Sequence, residues 1–133
     1  MKNIKFFLFL IFSFSINFCT TEPDNDYSDY KIRIDKISFS DTISVTDSLF
    51  IKFDGLVGTD GCHKFKYFET YNKLKEIHFT VWGTRPNFRT ACPTVMVYLN
   101  GKEYKTKFYQ TGIYKIFIHQ PDNSFFIDSV FVQ

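Results

Sequence analysis

The sequence lacks any apolar run long enough for a comfortable membrane span, which needs about 20 residues. It also lacks a stripe of clustered lysine and arginine, although it carries 16 basic and 14 acidic residues. Proteins that bind nucleic acid show such a stripe, so we expect no nucleic-acid partner. A glycine-rich phosphate loop, a Gly-x-Ser-x-Gly elbow and a His-Glu-x-x-His motif are absent as well. No short motif therefore indicates an enzyme class, and we expect no cofactor.

Residues 1–19 have the layout of a secretory signal peptide. Lys2 and Lys5 form a short basic region, and an almost unbroken apolar run follows from Phe6 to Ile16. The run stops near Cys19, where polar and acidic residues begin. This layout predicts a lipoprotein signal peptide over 1–18, with lipid on the Cys19 thiol. The implied location is the cell envelope, as an outer-membrane lipoprotein that faces either the periplasm or the cell surface, held to the membrane through its N-terminal lipid.

The predicted cleavage site departs from the usual lipoprotein pattern at one position. Ile16 and Cys19 match the pattern, but Phe18 stands where glycine, alanine or serine is usual. Two alternatives therefore stay open: an uncleaved membrane anchor, and a plain signal peptide with an incidental cysteine. Lipoproteins of the Bacteroidota type are less restrictive at this position, which favours the lipoprotein.

The segment 19–30 is predicted to be an acidic, disordered tether. It carries four acidic residues, no lysine or arginine, and almost nothing apolar to bury, and such segments do not form a core. A calcium loop at Asp24 and Asp26 is disfavoured because the glycine and the distal glutamate of such loops are missing. The remainder, 31–133, is predicted to be one small, mildly basic domain.

Most of this domain shows the period-two alternation of β-strands. Ile77, Phe79 and Val81 alternate with residues that point the other way, and similar runs recur along the chain, as half-buried strands require. Asn100 and Gly101 lie between two such runs and predict a hairpin, because both residue types tolerate positive φ. About seven short strands at hairpin spacing indicate an all-β, antiparallel sandwich.

Several short motifs refine this prediction. Gly112-x-Tyr114 opens the penultimate strand and resembles the tyrosine corner of immunoglobulin-like domains. From about Gly55 to Val132 the chain resembles small secreted immunoglobulin-like domains of Bacteroidota lipoproteins. The residues that carry this resemblance are Gly61-Cys62, Trp82-Gly83-x-Arg85-Pro86, Cys92-Pro93, Gly112-x-Tyr114 and Gln120-Pro121-Asp122. The resemblance implies an immunoglobulin-like β-sandwich with a structural Tyr114, and it implies no particular activity.

The cysteine and histidine residues could form a disulfide, a catalytic pair or a metal site. Cys62 and Cys92 form an even pair in an oxidising compartment, which predicts a disulfide between two loops. His63 follows Cys62 directly, but neighbours on a strand point to opposite faces, so a nucleophile and base are disfavoured. A zinc site from these residues with His78 or His119 lacks the usual spacing, so no metal is expected and each histidine is expected on the surface.

Candidate partner contacts lie at the end of one predicted strand and in the loop after it. Trp82 lies on the face opposite the core positions, and Arg85, Phe88 and Arg89 follow within a few residues. Arginine and aromatic side chains are the usual high-energy contacts of an interface. The alternative is that these aromatic residues fill the core and plug its ends.

Two functions remain open. The first is a membrane-anchored, non-enzymatic lipoprotein that carries a small β-sandwich binding or accessory module, with a protein or glycan partner at the cell surface. The second is a small periplasmic hydrolase or metal-binding enzyme that uses His63, His78 or His119. The two are discriminated by whether the histidines and an acid converge in one pocket.

Overall fold

A computed structural model describes residues 26–87 and 91–133. The predicted signal peptide and the tether up to residue 25 lie outside these ranges. Eleven strands form within them, which confirms the all-β prediction, whereas the predicted number of about seven strands is too low because several strands are only two or three residues long. The strands are β1 (Tyr27–Lys31), β2 (Lys36–Ser38), β3 (Thr42–Ile43), β4 (Ser48–Asp54), β5 (Leu56–Gly58), β6 (Lys64–Lys73), β7 (Glu76–Pro86), β8 (Val97–Tyr98), β9 (Lys102–Lys107), β10 (Gly112–His119) and β11 (Phe125–Val132).

The larger layer is a six-stranded sheet built around β7. Strand β6 pairs with β7 as an antiparallel hairpin partner, while β1 and β10 pair with different halves of β7. Strand β11 continues the sheet beside β10, and the short β3 closes it beside β11. The pairs β7–β10 and β3–β11 are parallel. The prediction of a purely antiparallel arrangement is therefore wrong, because β10 lies beside β7, and β3 beside β11, with each pair running in the same direction.

The second layer is a three-stranded sheet in the order β2-β4-β9, extended by the two-stranded pair β5–β8. One side chain from each layer illustrates the packing: the rings of Phe53 in β4 and Phe79 in β7 lie 5.3 Å apart, and both are fully buried. Residues from both sheets belong to one continuous core cluster. Burial of one such side chain stabilises the fold by roughly 1.5–3 kcal/mol.

The alternation in β7 has the predicted effect. Ile77, Phe79 and Val81 are buried in the core, while the residues between them point to the outer face of the sheet. Tyr114 also behaves as expected, since its hydroxyl donates a hydrogen bond to the carbonyl of Gln110 at 3.1 Å. This bond fixes how the chain enters β10.

Two sequence expectations are corrected at the level of single elements. Strand β1 begins at Tyr27, inside the segment predicted to be a tether up to residue 30, because its backbone pairs with the end of β7. Asn100 and Gly101 do have positive φ angles, but they do not close a hairpin. Strands β8 and β9 on either side pair with β5 and β4, not with each other, so this turn connects two separate strand pairs.

Candidate functional site

The outer surface of the six-stranded sheet is lined by aromatic side chains. Its rings lie on β6, β7, β10 and β11, the strands that pair side by side. We call this surface the aromatic face, and it consists of Tyr67, Tyr71, His78, Trp82, Phe117, His119, Phe125 and Ile127. Four of these side chains are about half exposed, namely Tyr67, Tyr71, Phe125 and Ile127. An apolar surface of this kind on the outside of a small domain is typical of an interaction site.

The strand register brings the rings together in rows across the sheet. Tyr71 lies opposite His78, which lies beside Phe117, which in turn lies opposite Ile127. The Tyr71 and His78 rings are 4.3 Å apart and nearly parallel, and those of His78 and Phe117 are 4.6 Å apart and equally parallel. Cross-strand pairs of this type each stabilise a sheet by about 0.2–1 kcal/mol. His78 is buried by this stack, so the expectation that every histidine lies on the surface is wrong.

A line of hydrogen-bonding groups runs through the centre of the aromatic face. Nδ1 of His78 lies 3.2 Å from Nε2 of His119, and Nε2 of His78 lies 3.3 Å from a carboxylate oxygen of Glu76. The Tyr71 hydroxyl lies 3.5 Å from the same His119 nitrogen. The structure therefore joins Glu76, His78, His119 and Tyr71 in one polar cluster.

The charges around this cluster shape the behaviour of His119. Burial lowers its pKa below the ordinary value, and the neighbouring His78 and Lys31 lower it further, while Glu69 acts in the opposite direction. Glu69 also accepts a hydrogen bond from the indole nitrogen of Trp82 at 2.7 Å. His119 is therefore biased towards its neutral form, in which a ring nitrogen keeps a free lone pair.

The predicted contact residues do not form one surface. Trp82 belongs to the aromatic face, where its ring stacks beside Tyr67 at 6.4 Å. Arg85 is exposed on another side and lies 3.5 Å from a carboxylate oxygen of Asp60. Phe88 and Arg89 lie outside the described residues, and the choice between a contact loop and a core plug stays a prediction.

The predicted disulfide between Cys62 and Cys92 is confirmed. It joins the loop before β6 to the segment after residue 90, with Cα atoms 5.4 Å apart, and it staples loops as expected. Next to it, the amide of Cys62 and the ring of His63 hydrogen-bond to Asp60 at 3.0 and 2.9 Å. These bonds lower the pKa of Asp60 although burial acts against them. Both sulfur atoms are bonded to each other, so they are not available as thiolate ligands.

The three histidines do not converge. His63 precedes the first residue of β6, whereas His78 lies opposite Tyr71 near the far end of that strand. Tyr71 is eight residues after His63, and at about 3.3 Å per residue this separation is roughly 26 Å along the strand. A zinc site that combines Cys62, His63 and Cys92 with His78 or His119 is therefore wrong, because of this distance and because of the disulfide.

The outer surface of the three-stranded sheet offers a contrast. It carries mostly charged side chains, and its one large apolar residue is Phe50, with the ammonium group of Lys105 lying 5.3 Å from its ring. We call this surface the charged face, and it consists of Lys36, Phe50, Lys52, Glu103, Lys105 and Lys107. This is the ordinary composition of a solvent-facing sheet. The two outer surfaces of the domain therefore differ in kind.

Sequence reasoning identified Trp82 but missed the histidine pair. The alternation places His78 and His119 on outer faces of their strands, yet only the parallel register of β7 and β10 brings the two together.

Within the described residues, no helix is long and apolar enough to cross a membrane. No family model, curated protein or solved structure matches this chain.

Proposed function

We propose that this chain is a lipid-anchored, non-enzymatic binding module of the cell envelope, and that its aromatic face binds a protein partner. The observation that carries the proposal is the aromatic face itself. Tyr71, Phe125 and Ile127 are 52%, 53% and 56% exposed there, although a sheet that faces only solvent would carry polar side chains at such positions.

The anchor part of the proposal rests on the sequence. A short basic region, an apolar run and Cys19 follow one another in the order of a lipoprotein signal, and the chain after Cys19 is acidic. A thiol that carries lipid together with an acylated N-terminus would hold the protein firmly on an outer membrane.

We assign the domain to the immunoglobulin-like class as part of the same proposal. Two sheets pack face to face around one core, and the Tyr114 hydroxyl bonds the backbone four residues upstream, as in a tyrosine corner. The parallel pair β7–β10 departs from the usual strand order of that class. The assignment therefore concerns the architecture and the corner, and it carries no activity.

The ring geometry favours a protein partner over a glycan. Tyr71, His78 and Phe117 stack with nearly parallel planes, so both flat faces of His78 and one flat face each of Tyr71 and Phe117 are covered. A sugar ring would need an open flat face to lie on. Ring edges beside aliphatic groups such as Ile127 instead suit the packed apolar centre of a protein–protein interface.

The alternative of a hydrolase or metal-dependent enzyme has less support. His63 lies at the disulfide, away from the other two histidines. The flat faces of His78 are covered by the rings of Tyr71 and Phe117, and its two nitrogen atoms already face His119 and Glu76, so a substrate proton would have to replace one of these partners. A general base must reach the proton that it removes at hydrogen-bond distance.

Site-specific photo-crosslinking in intact cells tests the proposal. A photoreactive amino acid replaces Tyr71 or Ile127 on the aromatic face, and Phe50, which is 45% exposed on the charged face, serves as the matched control. We expect Tyr71 and Ile127 to give an adduct with the same protein, and Phe50 to give none with it.

A second substitution makes this result specific. Ile127→Glu introduces a charge in the centre of the expected interface, so the adduct from position 71 disappears. Adducts of equal yield from both faces, or adducts from the aromatic face with glycan alone, contradict the proposal. Mass spectrometry of the mature N-terminus tests the anchor separately.

A further inference from the structure

We propose that His78 and His119 form a binding site for a divalent transition metal ion of the zinc or copper class, at the centre of the aromatic face. The proposal goes beyond the binding function, since the site needs no protein partner to take up the metal. It rests on the position of two imidazole nitrogens, on the group that orients one of them, and on the oxygen beside them.

The separation of the two nitrogen atoms suits one metal ion. Nδ1 of His78 and Nε2 of His119 are 3.2 Å apart. Two nitrogens that each lie about 2.0–2.1 Å from one tetrahedral zinc ion are roughly 3.3 Å apart. A small tilt of the rings therefore lets both lone pairs meet at one point. The same separation also suits a single N–H···N hydrogen bond, which is the competing account.

Glu76 prepares His78 for this role. Its carboxylate lies 3.3 Å from Nε2 of His78, so that nitrogen carries the proton and its N–H donates a hydrogen bond to the carboxylate. The lone pair is then on Nδ1, the nitrogen that faces His119. Metal-binding histidines commonly have their second nitrogen held by a carboxylate in this way, and this partner fixes the tautomer and the ring orientation.

The surroundings supply a further ligand, and charges of both signs lie near the pair. The Tyr71 hydroxyl lies 3.5 Å from Nε2 of His119, close enough to become a third ligand or to hold a metal-bound water. Glu69 and Glu76 place two carboxylates near the pair, and Lys31 is the cation that opposes them. Imidazole nitrogen is a ligand that zinc and copper both prefer.

Isothermal titration calorimetry of the full-length chain with Zn²⁺ alone tests the proposal. The protein is purified in detergent without a histidine tag. We expect one Zn²⁺ per chain in the wild type, and loss of this binding in both His78→Gln and His119→Gln. His63→Gln removes the third histidine of the chain, which lies beside Asp60, and is the matched control that keeps the binding.

Glu76→Gln gives a second test that leaves both ligands in place. Loss of the carboxylate lowers Zn²⁺ affinity by roughly 10–100-fold, whereas Glu103→Gln on the charged face leaves it unchanged. Electron paramagnetic resonance with Cu²⁺ should then show two nitrogen ligands in the wild type and no protein-bound copper in His119→Gln. Circular dichroism identifies any variant that is unfolded.

Three results of these experiments would overturn the metal-site proposal. Retained Zn²⁺ binding in folded His119→Gln, or equal loss of binding in His63→Gln, overturns the proposal. The same holds if the wild type binds no Zn²⁺, since the pair is then only hydrogen-bonded. None of these results bears on the crosslinking test, so the metal site and the protein-binding function fail or stand independently.

Discussion

Removal of the disulfide should destabilise the domain without changing its folded structure. In the double variant Cys62→Ala and Cys92→Ala, the two loops still meet, because the amide of Gly61 donates a hydrogen bond to the carbonyl of Pro93 at 2.8 Å. The effect therefore falls mainly on the unfolded chain, which gains freedom when the cross-link is removed.

The magnitude follows from the length of the loop. The disulfide closes a sequence separation of 30, and the chain-entropy estimate for this length is about 3.6 kcal/mol at 25 °C. This is a large part of the stability that small domains have, which is of the order of 5–15 kcal/mol. The variant should be folded in buffer and should unfold at much lower urea concentration.

Urea unfolding followed by tryptophan fluorescence measures the effect. Trp82 is the single tryptophan of the chain, and it lies on the central strand β7, so its emission reports on the main sheet. The wild type with reductant is the matched control and should unfold together with the double variant. If the double variant lost less than about 1 kcal/mol in free energy of unfolding, the reasoning would be refuted, because the unfolded chain would then already be restricted without the cross-link.

Three further predictions concern the anchor, the core and the response to pH. Mass spectrometry should find a mature N-terminus at a lipid-modified Cys19, and an intact Met1 contradicts this. Phe79→Ala should lower the free energy of unfolding, measured with urea, by about 3–5 kcal/mol because its ring is fully buried. Phe50→Ala, at an exposed position, should lower it by about 0.5 kcal/mol or less. Equal losses in the two variants would show that the core is placed wrongly. Burial, and then the charge of Asp60, raise the pKa of Tyr30 from 10.0 to about 12, so the folded state keeps this proton after the unfolded state has lost it. As the pH rises between these two pKa values, the free energy of unfolding should therefore fall in the wild type and fall less steeply in Tyr30→Phe. Urea titrations across this pH range measure the two slopes, and identical slopes in both proteins would contradict the prediction.

The strands were predictable from sequence, but their partners were not. Ile77, Phe79 and Val81 alternate in a way that only a half-buried strand explains, and all three are in the core. Alternation contains no information on which strand lies alongside or in which direction it runs. The parallel pair β7–β10 therefore could not be read from the sequence. Asn100 and Gly101 show the same limit, since their positive φ was predictable but the different partners of the strands on either side were not.

The candidate site was predictable only in its single residues. Trp82 follows from alternation, and the Cys62–Cys92 bond follows from parity and compartment. The pair of His78 and His119 depends on long-range register, so their spacing along the chain gives no motif. The burial of His78 depends on rings supplied by two other strands.

The start of β1 sets how far the domain can stand from a membrane. With lipid on Cys19, eight residues lead to Tyr27, and a fully extended chain of that length spans at most roughly 25–30 Å. Tyr27 pairs with Pro86, at the end of β7 nearest the disulfide. If Cys19 carries the proposed lipid, the end of the domain that contains the disulfide would lie within this distance of the membrane. In that case, only a partner that is itself near the membrane surface would reach the aromatic face.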